Sequence, residues 1–312
     1  MGAGRFTPRD WDKFTATRTA GRSTSSIFGH TLKATLDPKQ IKNGLRESRD
    51  SSINPASTAI IVGLDVTGSM GMIADAIARD GLKTLFAEIY DRKPVSDPHV
   101  MFMGIGDALC DAAPLQVSQF EGDIRIADQL VDLWLEGGGG GNASESYTLP
   151  WYFAGMHTAI DCFQKRGKKG YLFTIGDEEP PEVLTRAELE KVLDARVQRD
   201  LSSTELLDLA SRQYEVFHVI VEQGNHCRMG GLPSVLKKWT ALLGQRALRL
   251  NDYTKLPEVI VSAIQVNEGA SPEAVADTWS GDTALVVRHA VAGLAPKEKP
   301  FTAEGNSTVV RL

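Results

Sequence analysis

Thr58-Ala-Ile-Ile-Val-Gly-Leu-Asp65-Val-Thr67-Gly-Ser69-Met70-Gly71 is the stretch on which the reading of this chain turns. Its first seven residues form a continuous apolar run, the mark of a strand buried on both faces of a parallel sheet, and the run ends in a carboxylate. Ile73, Ile77, Gly81, Leu85 and Ile89 then recur at steps of four beside Ala78, Leu82 and Phe86, which predicts an amphipathic helix. Similar apolar runs follow at 100–106, 170–176 and 215–222, with a shorter one at 247–250. Helical patterns lie between them at 123–135, 148–165, 185–212 and 256–265. Leu115–Phe120 follows the second run after an Asp/Ala/Pro turn and reads as a hairpin to an antiparallel edge strand. Strands alternating with helices imply βαβ units, so the expected fold is α/β: a doubly wound, mostly parallel, Rossmann-like sheet with one antiparallel edge strand and helices on both faces.

Around this domain, placed at 57–267, lie two flanking segments. Residues 1–56 carry a charge balance of about +5 within a chain of net charge −6, leaving about −11 for the remainder. Rich in Ser, Thr and Arg without a sustained period, they read as a basic N-terminal arm that is extended or docks late. Aromatic interleaving is limited to Trp11 and Phe14, which argues against nucleic acid and for a solvated or partner-bound tail. Residues 268–312 form a C-terminal extension whose apolar run at 284–287 is expected to add a strand. The 312 residues, 42% hydrophobic and 24% charged, suit a globular protein. No stretch approaches the ~18 apolar residues that would span a bilayer, and the N-terminus lacks a secretory apolar core, so no membrane association and a cytoplasmic location are expected. Cys110, Cys162 and Cys227 form no CxxC pair and read as reduced, mostly buried thiols.

In an open parallel sheet a ligand binds outside the carboxyl ends of the strands. There the runs end in Asp65-Val-Thr67-Gly-Ser69, Gly106-Asp107 and Gly176-Asp177-Glu178-Glu179, so three strands bring a carboxylate to one edge. Alternate residues of an extended loop point the same way, so Asp65, Thr67 and Ser69 can present three oxygens to one point. An all-oxygen set without thiolate or imidazole suits a hard cation, Mg²⁺ first, with Mn²⁺ or Ca²⁺ behind it. Asp107 reads either as an acceptor for ion-bound water or as a turn residue at the strand end.

DVTGSM after this strand resembles the DxSxS element of the metal-ion-dependent adhesion site of von Willebrand factor A domains, with Thr67 in place of the first serine. TIGDEEP at 174–180 resembles that family's final aspartate, here Asp177. The resemblance covers about 57–267, and implies the intracellular bacterial or phage type. The family's Gly-Gly-Thr loop is replaced by Glu136-Gly137-Gly138-Gly139-Gly140-Gly141-Asn142-Ala143-Ser144-Glu145-Ser146. Some A domains place an acidic residue there, so the resemblance assigns Glu145 to the ion, with Asn142 or Ser144 as substitutes. It also implies a noncatalytic recognition module. Its metal, held by Asp65, Thr67, Ser69, Glu145 and Asp177, is completed by a carboxylate from a protein partner, and assembly machines are implied as partners, an AAA+ ATPase among them.

The competing reading is a Mg²⁺-dependent phosphohydrolase of the haloacid-dehalogenase type, which also places Asp after the first strand. That chemistry needs a second Asp two residues on, and position 67 is Thr. GIGDAL at 104–109 lacks the third glycine of a dinucleotide fingerprint, and no GxxxxGK[ST] occurs. His218 reads as a packed core residue, and His226-Cys227 as a loop.

Overall fold

The computed structural model describes residues 4–296 apart from 6, 69 and 139–143. Six strands form the central sheet: β1 (Thr58–Asp65), β2 (Pro98–Ile105), β3 (Leu115–Val117), β4 (Gly170–Gly176), β5 (Tyr214–Val221) and β6 (Ala247–Leu250). Their spatial order is β6-β5-β4-β1-β2-β3, with every neighbouring pair parallel except β2–β3. The expected architecture, a doubly wound sheet with one antiparallel edge strand, is the observed one.

Alternation along β1 divides the core in two. Ile60, Val62 and Leu64 face one cluster, covered by Leu82–Arg92, Arg125–Val131, Leu256–Asn267 and Gly281–Val291. Ala59 and Ile61 face the other, covered by Thr148–Met156, Arg186–Leu193, Ser203–Ser211 and Leu232–Leu243. Both faces of β1 are therefore dry, which explains why its sequence is continuously apolar and does not alternate with polar residues.

Several elements depart from expectation. The helix expected over 148–165 stops at Met156, because Thr158–Ile160 forms a short strand parallel to Arg46–Ser48 before Asp161–Arg166 turns helical again. The helix expected over 185–212 is two helices, Arg186–Leu193 and Ser203–Ser211. Left-handed Asp194 ends the first, and two short antiparallel strands, Val183–Leu184 and Leu201–Ser202, lead into the first and the second helix respectively. Each opens with a capping box, Thr185 with Glu188 and Ser202 with Glu205. The run at 284–287 lies in the helix Gly281–Val291, where Val286 and Val287 are buried against the core, so no strand is added there. Trp11, Phe14, Ile27, Phe28 and Leu36 are buried in the same cluster as Ile60 and Val62. The N-terminal segment thus docks on the body through these side chains and is no solvated tail there. No helix among the described residues is long and apolar enough to cross a membrane.

Candidate metal centre at the carboxyl edge

The chain runs from β1 outward to β2 and β3, then returns to the other side of β1 for β4. The reversal opens a crevice between the ends of β1 and β4, where an open α/β sheet takes its ligand. Register sets the depth of each carboxylate. Leu64 pairs with Ile175 and Asp65 with Ile105, so Asp177 and Asp107 both lie just beyond the level of Asp65.

Asp65 is 1% exposed. Its Oδ1 accepts from the Thr67 backbone N–H (2.9 Å) and hydroxyl (2.6 Å), and its Oδ2 accepts from the Tyr147 hydroxyl (2.8 Å). Burial pushes its carboxyl up to about 6, opposed by the bonds from Thr67 and Tyr147 and reinforced by Asp177. Asp177 is fully buried: its Oδ2 accepts from the His226 N–H (2.8 Å), while its Oδ1 has no partner among the described residues. Burial raises its pKa as well.

Glu145, 3% exposed, has a buried Oε2 without a partner among the described residues. Burial, then the charges of Asp65, Glu178, Asp107 and Asp111, push its carboxyl up to about 10. Glu145 is thus within electrostatic reach of Asp65. The close approach of the two loops is direct at their ends, where the Gly68 N–H donates to the Gly138 carbonyl (3.1 Å) and a Cβ on Gly68 would lie 3.0 Å from the Gly137 carbonyl oxygen.

The remaining sequence-derived residues are placed as follows. Ser69 and Asn142 lie outside the described residues. The Ser144 hydroxyl donates to the Glu179 carbonyl (3.1 Å), tying the glycine-rich segment to the loop after β4. Asp107 accepts from the Leu109 N–H (2.7 Å) and from the Cys110 thiol (3.0 Å), closing its own turn while adding charge near Glu145. His218 is buried in the core, as expected. It stacks on Trp239 with ring centroids 3.6 Å apart, and its Nδ1 meets the Thr174 hydroxyl at 2.9 Å.

Two residues escaped the sequence reading. Tyr147 reaches from the segment after Glu145 across to Asp65. It does so because Gly176 has no side chain: a Cβ there would lie 2.0 Å from the Tyr147 hydroxyl oxygen. Its ring is wedged edge-on to His218 and Trp239, at 5.0 and 5.7 Å between centroids. Glu178 follows Asp177 with its Oε2 buried and unpartnered, and burial with Asp65 and Asp177 pushes its carboxyl up to about 8. The only sequence signal for Glu178 was its place in the acidic run, and Tyr147 offered none beyond nearness to Glu145.

The candidate donors are all oxygens, the type that a hard cation takes. Among the described residues Glu145, Asp177 and Glu178 each have a buried oxygen without a partner; burial first, and for Glu145 and Glu178 the neighbouring carboxylates as well, favours protonation, a condition that a divalent ion would relieve. Among the described residues no group of three or more His, Cys, Asp or Glu side chains is gathered so that it could hold a metal ion. An ion here would draw on hydroxyl and water oxygens too, as Mg²⁺ ordinarily does.

No protein-family model matches the chain, and no curated protein matches it in sequence. Among solved structures, it is similar to the pilus adhesin SpaC from Lactobacillus rhamnosus GG in its open conformation, at TM-score 0.44 and 10% identity over 71% of this chain and 31% of that one. A second form of the same adhesin gives TM-score 0.44 and 10% identity, with 71% and 32% covered. A von Willebrand factor type A structure from Catenulispora acidiphila gives TM-score 0.36 and 14% identity, with 69% and 44% covered. The chain thus spans about a third of the adhesin's length.

Proposed function

We propose that the chain is a von Willebrand factor A-like recognition module that holds a Mg²⁺-class ion at the carboxyl edge of its sheet and binds a protein partner through it. The observation that carries this reading is a buried oxygen on each of Glu145 and Asp177 that has no partner among the described residues, with buried Asp65 feeling the charge of Asp177 and Glu145 that of Asp65. Asp65, Thr67 and Ser69 would hold the ion from the first loop, with Glu145 and Asp177 closing the set. The ion would supply a coordination position for a partner's carboxylate, a charge-assisted contact. Its carboxylates outnumber the charge of a dication, so the ion is held firmly and the incoming acid weakly.

The chain's own groups do the positioning. Tyr147 and Thr67 fix the orientation of Asp65, and His226 fixes that of Asp177. Thr67 stands where a phosphohydrolase of the competing type needs its acid/base carboxyl, and its hydroxyl proton is given to Asp65. The module is accordingly read as noncatalytic. An AAA+ ATPase or another multiprotein machine is the class of partner that the sequence resemblance suggests. Affinity capture from the source cell, with and without chelator, tests the reading. Retention should need both the divalent ion and Asp65, while phosphatase panels stay at background. Turnover that requires Asp65 and Mg²⁺ would overturn it.

A further inference from the structure

At the opposite, amino edge of the sheet three turns meet: the entry to β1, the turn before β2 and the turn before β4. They enclose a cleft of about 160 Å³ lined by Thr58, Lys93, Ser96, Arg166, Lys168 and Lys169 among others. In a chain of net charge −6, four cations share this wall with one carboxylate, Glu268, which accepts from the Tyr171 hydroxyl. Arg166 is already committed to Asp50 (2.7 Å) and the Ser57 carbonyl (2.6 Å). Lys93, Lys168 and Lys169 make no ion pair among the described residues.

A second, independent observation concerns the backbone. Lys93 follows the helix Leu82–Arg92 with φ +50°, and Asp97, four residues on, has φ +36°. Glycine is the usual residue at such a position, because it alone carries no Cβ penalty there. Lysine here bears a Cβ penalty that glycine would not, while its side chain lines the cleft. The cleft also shares Lys93 and Ser96 with a neighbouring cleft of about 400 Å³ walled by Ile89, Tyr90 and Pro98 and by Arg5 and Asp97, which pair with each other at 3.3 Å. Cations and hydroxyls at one end, and at the other an apolar wall whose one carboxylate is paired with Arg5, suit an oxyanion with or without an organic remainder.

We infer that this amino-edge cleft is a binding site for a phosphate or phosphomonoester dianion, held by Lys93, Lys168 and Lys169. Lysines past helix C-termini also offset the helix dipole. That alternative makes a different prediction, since it ties the lysines to stability and not to anion affinity.

The site is separate from the proposed metal centre, and the test is run on the full chain in EDTA, so that no divalent ion pairs with the anion. Titration calorimetry with inorganic phosphate, against chloride at matched ionic strength, should show saturable binding. Lys93→Gly and the double variant Lys168→Ala/Lys169→Ala should each weaken it by about tenfold or more. Lys237→Ala, at an exposed helix position away from the cleft, should bind as the wild type does. Lys93→Gly should also melt no lower than wild type, because glycine suits φ +50°. Phenyl phosphate binding more tightly than phosphate would assign an ester seated partly in the neighbouring cleft; equal affinity would assign free phosphate. Absence of saturable binding above the chloride control, or unchanged affinity in both lysine variants, would overturn the inference.

Discussion

Glu145 is the residue on which the electrostatics of the carboxyl edge turn. Its folded-state pKa, pushed up to about 10, lies far above the ~4.3 of an exposed glutamate. A carboxyl raised in the folded state leaves stability undiminished below the unfolded value. Stability then falls as pH rises from about 4 toward the folded value, because the unfolded chain releases the proton first. Asp65 contributes the same sign between about 4 and about 6. Ion-free protein should therefore be less stable at pH 8 than at pH 5 by this contribution. Glu145→Gln, which keeps the shape and removes the charge, should stabilise the ion-free protein at pH 8 by about 1 kcal/mol or more, since one pKa unit corresponds to about 1.4 kcal/mol. The same variant should bind Mg²⁺ more weakly, and urea unfolding with and without the ion checks both halves. Tyr147→Phe should cost about 1.5–3 kcal/mol at pH 7, the usual contribution of a hydrogen bond to a charged acceptor. Its ring should stay packed on His218 and Trp239, so near-ultraviolet circular dichroism should change little while the denaturation midpoint falls.

The central strands were legible as elements because their signal is local. β1, β2, β4 and β5 are buried on both faces, and continuous apolar runs mark such strands within one or two residues of their observed ends. The carboxylates at their ends were equally legible, since strand direction alone brings them to one edge. What remained hidden depends on partners distant in sequence. Thr158–Ile160 leaves the helix to pair with Arg46–Ser48, more than a hundred residues earlier. Tyr147 reaches Asp65 only because Gly176 is bare, a fact of packing with no periodic trace. The two capping boxes were present as T-x-x-E and S-x-x-E and would have divided 185–212 correctly. Over residues 1–56 composition left extension and docking both open, because a few large side chains decide docking. Trp11 is 2% exposed and Phe14 4% exposed, with rings 5.3 Å apart in the main core. Trp11→Ala should therefore destabilise the whole fold by about 3–5 kcal/mol, as a buried aromatic truncation does. An equilibrium denaturation curve unchanged by that variant would mean that the N-terminal segment docks without contributing to stability.

Among the described residues, carboxylates collect past one end of the sheet and lysines line a cleft at the other, where Asp97 and Glu268 also lie. Asp65, Asp107, Glu145, Asp177 and Glu178 gather past the carboxyl ends of the sheet. Lys93, Lys168 and Lys169 gather at its amino ends. The acidic end is the costlier of the two, because its carboxylates are buried and several of their oxygens are unpartnered. A divalent ion specific to the folded state would offset that cost, contributing about 2.7 kcal/mol at 100 times its dissociation constant. For a domain of this size that corresponds to a rise of roughly 5–10 °C in Tm. The most direct measurement is a melting curve of chelator-stripped protein with excess Mg²⁺ and with EDTA, run on the wild type, Asp65→Ala and Glu145→Gln. The account predicts a rise of that size for the wild type, a smaller one for Glu145→Gln and none for Asp65→Ala. Identical wild-type curves in Mg²⁺ and EDTA, or a full rise in Asp65→Ala, would contradict it.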